Sequence, residues 1–152
     1  MMNRRRFVGT LPLLSAGSSV AALSLTGCAS VRYLQAREDD GRLRVRRSDF
    51  AGLSDVLVGS TQTAFPIYVR EIEADAYSAV LAHCTHRGCQ PDPAGDRLVC
   101  PCHGSEFAFT GDVLKGPAER PLDRFEVTTD GTDIIIWLSR QMSPNASLGE
   151  GP

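Results

Sequence analysis

The chain has 152 residues, of which 42% are hydrophobic and 22% charged, with a formal net charge of −2. That is one domain's length, and the near-neutral balance excludes the basic footprint of a nucleic-acid binder. Only 7% of residues are aromatic, while 14 Gly and 9 Pro favour a small turn-rich fold over a coiled coil, a collagen or a helical bundle. Five cysteines stand beside three histidines. An odd thiol count in an exported chain requires a task for each cysteine, because free reactive thiols are avoided outside the cytosol.

The first segment reads as an export signal. Arg4, Arg5 and Arg6 precede Phe7 and a mildly apolar stretch reaching Gly27, which resembles a twin-arginine signal, the route for proteins that fold before export. Ser15, Gly17, Ser18, Ser19, Ser24 and Thr26 dilute that stretch, so it makes a poor permanent membrane span. Leu25-Thr26-Gly27-Cys28 then resembles a lipobox, in which cleavage before Cys28 leaves its thiol to be acylated. The expectation is a signal over residues 1–27 and a lipoprotein on the periplasmic side, held to the membrane by lipid chains instead of a helix. With the three leader arginines removed, 13 basic residues face 18 acidic ones, a balance of −5.

Residues 28–41 are polar and lack a sustained period, so they are expected to form a tether. From 42 to 140 the pattern is that of strands. Arg42, Arg44 and Arg46 alternate with Leu43 and Val45, which places the arginines outward as a solvated face or as a basic collar near lipid head groups. Further strands are expected at Asp55–Val58, Pro66–Ile72, Tyr77–Ala82, Leu122–Thr129 and Asp133–Leu138, with an Asp130-Gly131 hairpin turn between the last two. No segment reads as a helix. Residues 141–152 have the composition of a frayed tail.

The chemistry sits in two short segments, His83-Cys84-Thr85-His86-Arg87-Gly88-Cys89 and Val99-Cys100-Pro101-Cys102-His103-Gly104-Ser105. Each supplies Cys and His at near-matching positions, and the stretch between them holds Pro91, Pro93 and Gly95. Two loops projecting from one sheet can therefore bring soft and borderline ligands to one point. A catalytic thiol with a histidine base is one alternative, although it leaves the duplication unexplained. A structural zinc site is another, although zinc modules usually keep two Cys together and two His together.

The spacing Cys84-x-His86 followed by Cys100-x-x-His103 resembles the Rieske family, which holds a 2Fe-2S cluster, and the matched region runs from 81 to 122. The resemblance implies that Cys84 and Cys100 bind the inner iron and that exposed His86 and His103 bind the outer one. Two ferric ions, two sulfides and two thiolates sum to zero charge, against −2 for four thiolates. An electron therefore enters more easily, and the class spans about −150 to +300 mV against about −400 mV for plant-type ferredoxins. Reduction makes the cluster negative, so the histidines hold their second protons more tightly and the electron draws a proton with it.

Cys89 and Cys102 complete Cys-Thr-His-x-Gly-Cys and Cys-Pro-Cys-His-Gly-Ser, the form seen in respiratory members of cytochrome bc complexes. The resemblance implies a disulfide between them. It also assigns cluster-tuning positions to Gly104, Ser105 and Phe107. The hydroxyl of Ser105 would reach a bridging sulfide, whereas Phe107 stands where many members carry a tyrosine. Gly116-Pro117-Ala118 resembles the family's proline loop, which covers the cluster from a third side. Strand alternation turns His83 away from Cys84, and Trp137 reads as core.

The implied fold is all-β, an antiparallel sandwich or barrel with the two-loop cluster subdomain inserted. The implied function is electron transfer outside the cytoplasmic membrane, as a carrier or an oxidoreductase subunit, with a cytochrome or oxidase subunit as redox partner and quinol as a donor. A Rieske small subunit or free carrier for a periplasmic oxidase, as in arsenite oxidase, is the alternative. A ring-hydroxylating-oxygenase ferredoxin and a zinc-stabilised binding module stand further off.

Overall fold

A computed structural model describes residues 31–142, so Arg4, Arg5, Arg6, Cys28 and the expected tail over 143–152 lie outside the described residues. Twelve strands and one helical turn follow in order. They are β1 (Arg32–Gln35), β2 (Arg37–Asp39), β3 (Arg42–Arg46), α1 (Arg47–Phe50), β4 (Asp55–Gly59), β5 (Ile67–Glu73) and β6 (Ala76–Leu81). Then come β7 (Asp92–Ala94), β8 (Arg97–Val99), β9 (Glu106–Ala108), β10 (Val113–Lys115), β11 (Arg124–Thr129) and β12 (Asp133–Met142).

Eight strands form one sheet in the order β1-β4-β5-β6-β11-β12-β3-β2. β1 and β2 end that order on opposite edges, yet only Ala36 separates them in the chain. The sheet must therefore curl until its edges meet, giving a nearly closed barrel. The seam is fastened where the Ala36 N–H donates to the Gly59 carbonyl at 3.1 Å. The Glu38 carboxylate accepts from the Ser60 hydroxyl at 3.0 Å, the Thr61 N–H at 2.5 Å and the Thr61 hydroxyl at 2.7 Å. Those donors, the Thr61 N–H foremost, hold the Glu38 carboxyl below its usual range.

This corrects the tether expected over 28–41, because residues 32–39 are strands of the barrel. Their side chains are mostly exposed, so they carry no apolar period. They are held through backbone pairing and Glu38, which side-chain patterning does not report. A second correction concerns strand direction, since β1 runs parallel to β4 while the other strand pairs of both sheets are antiparallel.

The alternation in β3 stands as expected, with Leu43 and Val45 buried beneath the arginines. Acids partner that basic face: Arg42 meets Asp39 at 3.1 Å, Arg44 meets Asp130 at 3.0 Å, and Arg47 bridges to Asp75. The hairpin between β11 and β12 turns at Gly131, whose φ is +87°. There the Asp130 carboxylate accepts the N–H groups of Thr132 and Asp133 at 3.0 and 2.8 Å. Two further readings change. α1 adds a single helical turn, and β12 runs on to Met142, past the expected start of the tail.

Alternation along β4, β5 and β6 builds two cores instead of one. Val56, Val58, Ile67, Val69 and Ala79 point into the barrel, whereas Leu57, Tyr68, Val80 and Ala82 line its outer face. On that outer face sits a second sheet, β10-β9-β8-β7, whose Leu98 and Phe107 complete the second core. Each such side chain contributes roughly 1.5–3 kcal/mol on leaving water. The segment expected to be loops is thus a small subdomain of three-residue strands, too short to show periodicity. Polar contacts also join the two layers: Arg70 donates to the Gly95 carbonyl at 2.8 Å, Ser78 to the Phe109 carbonyl at 3.1 Å, and Arg124 pairs with Asp112.

Tyr68 lies wholly inside this joint and donates to the Asp55 carboxylate at 2.9 Å. Burial, chiefly, pushes its phenol from 10.0 up to about 12. The fold favours the neutral phenol, so its contribution to stability is whole below pH 10.0 and is lost as pH rises to about 12. Thermal denaturation should show a falling midpoint across that window and a shallower fall in Tyr68→Phe. Parallel curves would overturn this assignment.

Candidate metal centre

Both cysteine-histidine segments fold into the same turn. In the first, the Cys84 N–H donates to the Cys89 carbonyl and the Gly88 N–H to the Cys84 carbonyl, each at 2.8 Å. In the second, the Cys100 N–H donates to the Ser105 carbonyl at 2.8 Å and the Gly104 N–H to the Cys100 carbonyl at 2.9 Å. Gly88 and Gly104 have φ of +77° and +73°, a conformation glycine takes without the Cβ penalty. A glycine four residues after each leading cysteine is the sequence signal of this repeat, and both motifs carry it. β6 leads into the first turn and β8 delivers the second, so the two project together from neighbouring layers.

The turns divide their donors between core and surface. Cys84 and Cys100 carry free thiols and are each 1% exposed. Burial, with the neighbouring Cys84 thiol, pushes the Cys100 thiol up, so metal binding must displace protons there. His103 is exposed, while His86 is half-buried, more covered than expected. Their rings meet edge to face with centroids 4.7 Å apart. Nδ1 of His86 is buried with no hydrogen-bond partner, which would cost about 1–3 kcal/mol if it stayed unsatisfied. Two buried thiols and two adjacent imidazoles, one with an orphaned nitrogen, fit the donor set of the 2Fe-2S cluster.

Cys89 and Cys102 are joined in a disulfide, with Cα atoms 6.5 Å apart. It ties the last residue of the first turn to the middle of the second. The sulfurs of Cys89, Cys100 and Cys102 also lie within 4.8 Å of one another, but two of those sulfurs are bonded together and offer no thiolate. Cys84 and Cys100 are the thiol pair left to bind metal.

A third segment closes over both turns. The Ala118 N–H donates to the Ser105 hydroxyl oxygen at 3.0 Å, and the Thr85 hydroxyl donates to the Arg120 carbonyl at 2.5 Å. Gly116 and Pro117 are exposed while Ala118 is buried, so the proline loop rests on Ser105 through its third residue. Glu119 and Arg120 stand where the family often carries another proline, but the bond between Thr85 and Arg120 was not foreseen, because a hydroxyl-to-carbonyl bond across 35 positions leaves no local pattern.

Ser105 is completely buried and uses its oxygen to accept from Ala118, which leaves its own proton available to a cluster sulfur. Ser105→Ala should strand the Ala118 N–H at a cost of about 1–3 kcal/mol. It should also lower the cluster potential with iron content unchanged; denaturation and redox titration check both, and an unmoved potential would exclude the donation. Phe107 is likewise 0% exposed and packs in the second core. Phe107→Tyr should raise the potential by adding a donor beside the ligands. A titration showing no rise would mean that the ring edge is not directed at a ligand sulfur.

Two other expectations are resolved. His83 stacks on Phe65 at 4.4 Å, and its Nε2 lies 3.1 Å from where a Cβ on Gly88 would stand. It supports the first turn from beneath and is not grouped with the ligands. Trp137 is not core. It lies half-buried on the outer face, donating to the Thr128 hydroxyl at 3.0 Å beneath the Arg42 guanidinium, because alternation from fully buried Ile136 turns it outward.

Known proteins resemble this chain. Cytochrome b6-f complex iron-sulfur subunit 2 of Nostoc sp. (strain PCC 7120 / SAG 25.82 / UTEX 2576) is 39% identical over 75 residues, 48% of this chain and 41% of that one. The cytochrome b6-f complex iron-sulfur subunit of Synechococcus sp. (strain JA-3-3Ab) is 49% identical over 55 residues, 35% of this chain and 32% of that one. The chain thus spans less than half the length of these relatives. The crystal structure of the cyanobacterial plasma membrane Rieske protein PetC3 from Synechocystis PCC 6803 superposes with a TM-score of 0.53 at 35% identity, covering 60% of this chain and 93% of that one. A family model described as the Rieske [2Fe-2S] domain matches residues 47–141. Since that span takes in both turns, the clamp between them and most of the barrel that carries them, the chain belongs to the Rieske [2Fe-2S] family.

Proposed function

We propose that this protein is a one-electron carrier at the outer face of the cytoplasmic membrane, anchored by lipid on Cys28 and working within a respiratory oxidoreductase. The observation that carries the reading is the split donor set, with buried Cys84 and Cys100 behind His103, which is open to a partner. When bound, the 2Fe-2S cluster supplies a site that accepts and returns one electron. Cys84 and Cys100 would hold it on the core side, and His86 and His103 on the docking side. The disulfide and the proline loop keep water from the thiolate side.

Relatives that are cytochrome b6-f subunits support a membrane complex as the setting. The fastened β1 and β2 strands favour the second reading, a small subunit or free carrier for a periplasmic oxidase, because they leave only a short reach between the proposed anchor at Cys28 and the barrel. Among the described residues no helix is long and apolar enough to cross a membrane.

The test is a redox titration of purified holoprotein followed by EPR. The expected midpoint lies within about −150 to +300 mV; a value near −400 mV would overturn respiratory use, and a colourless, redox-silent protein would mean zinc. Affinity capture from detergent-solubilised membranes then separates the two settings by whether cytochrome or oxidase subunits co-purify.

A further inference from the structure

The strand register determines where the chain leaves the domain on its way to the membrane, and the orientation this imposes rests on the lipid anchor proposed for Cys28. β1 aligns Arg32 with Val56 and Gln35 with Gly59. β4 pairs Asp55 with Arg70 and Val58 with Ile67, and β5 pairs Arg70 with Ser78 and Ile67 with Leu81. Carried across the sheet, Val31 enters at the row of Asp55, Arg70 and Ser78. Gln35 lies four rows further on, level with Ala82, where β6 gives way to the first cysteine turn.

A separate contact agrees. Arg70 donates to the Gly95 carbonyl at 2.8 Å, so the β7–β8 turn sits at the entry row. That turn is the end of the small sheet opposite the one where β8 delivers Cys100.

The leash is shorter than the distance it would have to span to invert the domain. From Ser78 to Ala82 is four strand residues, about 13 Å, and the histidines lie beyond that. From Cys28 to Val31 is three residues, which reach about 11 Å at full stretch. β1 cannot peel away to lengthen this leash, because it is paired with β4 and followed by β2, which Glu38 locks to Ser60 and Thr61. We propose that the anchored domain stands with its histidine tip turned away from the bilayer. The partner meeting His86 and His103 is then a protein domain in the aqueous phase, not a quinol at membrane depth.

The experiment uses the full-chain holoprotein extracted with its anchor and reconstituted into vesicles containing nickel-chelating head-group lipid. The EPR relaxation of the reduced cluster should be unchanged by head-group nickel and enhanced by a water-soluble gadolinium chelate. A variant with twelve Gly/Ser residues inserted between Ser30 and Val31, with a reach of about 19 Å, should gain sensitivity to head-group nickel. Head-group enhancement at native leash length, or no gain in the lengthened variant, overturns the orientation. Mass spectrometry of the N-terminal peptide separates the two layers of inference. An unacylated Cys28 overturns the anchor itself, whereas acylated Cys28 with a nickel-relaxed cluster overturns the orientation alone.

Discussion

Replacing Cys84 with serine is expected to yield a colourless protein that keeps its barrel. The thiol is 1% exposed in the second core, and a smaller, harder hydroxyl is a poor substitute for a thiolate on iron. Loss of cluster iron should be complete. The barrel interior is a separate core of Val56, Ile67, Ile136 and their neighbours, and none of the four donors belongs to it. Far-UV circular dichroism should therefore remain that of a β-protein while iron analysis and the EPR signal fall to background. Retained iron would remove Cys84 from the ligand set, and collapse of the β spectrum would show that the two cores fold as one.

The second large effect is expected on removing the clamp. In Cys89→Ser/Cys102→Ser the crosslink across 13 positions is lost, which for a loop of that size costs about 3 kcal/mol. Against a typical domain stability of about 5–15 kcal/mol, that is a large share. The loss should be concentrated at the two turns, since the disulfide joins them and neither of its cysteines belongs to a barrel strand. Denaturant titration should show the drop, and chelator challenge should strip iron faster than from the parent protein. Unchanged stability together with an unchanged potential would show that the proline loop and backbone bonds hold the turns by themselves.

How far the sequence foretold these features depends on the range of the interactions concerned. β3 was legible because Leu43 and Val45 alternate with arginines over one buried face, and β4 to β6 because strands buried on both faces carry short continuous apolar runs between turn residues. The cysteine and histidine spacing was legible because each turn is closed by its own backbone within six residues, Cys84 to Cys89 and Cys100 to Ser105. β1 and β2 escaped detection because their hold on the barrel is made by backbone pairing and one carboxylate. β7 to β10 escaped because three residues are too few to establish a period.

Residues 84–89 and 100–105 by themselves determined that two thiols, two imidazoles and a second cysteine pair would be presented on matched turns, because local spacing and glycine placement suffice for that. Only the tertiary structure decided that the Ala118 N–H rests on Ser105, that Trp137 lies outside the core, and that the chain enters the barrel at the row remote from the histidines. The physical reason is register. A strand's own sequence says which faces alternate, but which row meets which depends on partners distant in the chain, and no local pattern encodes them.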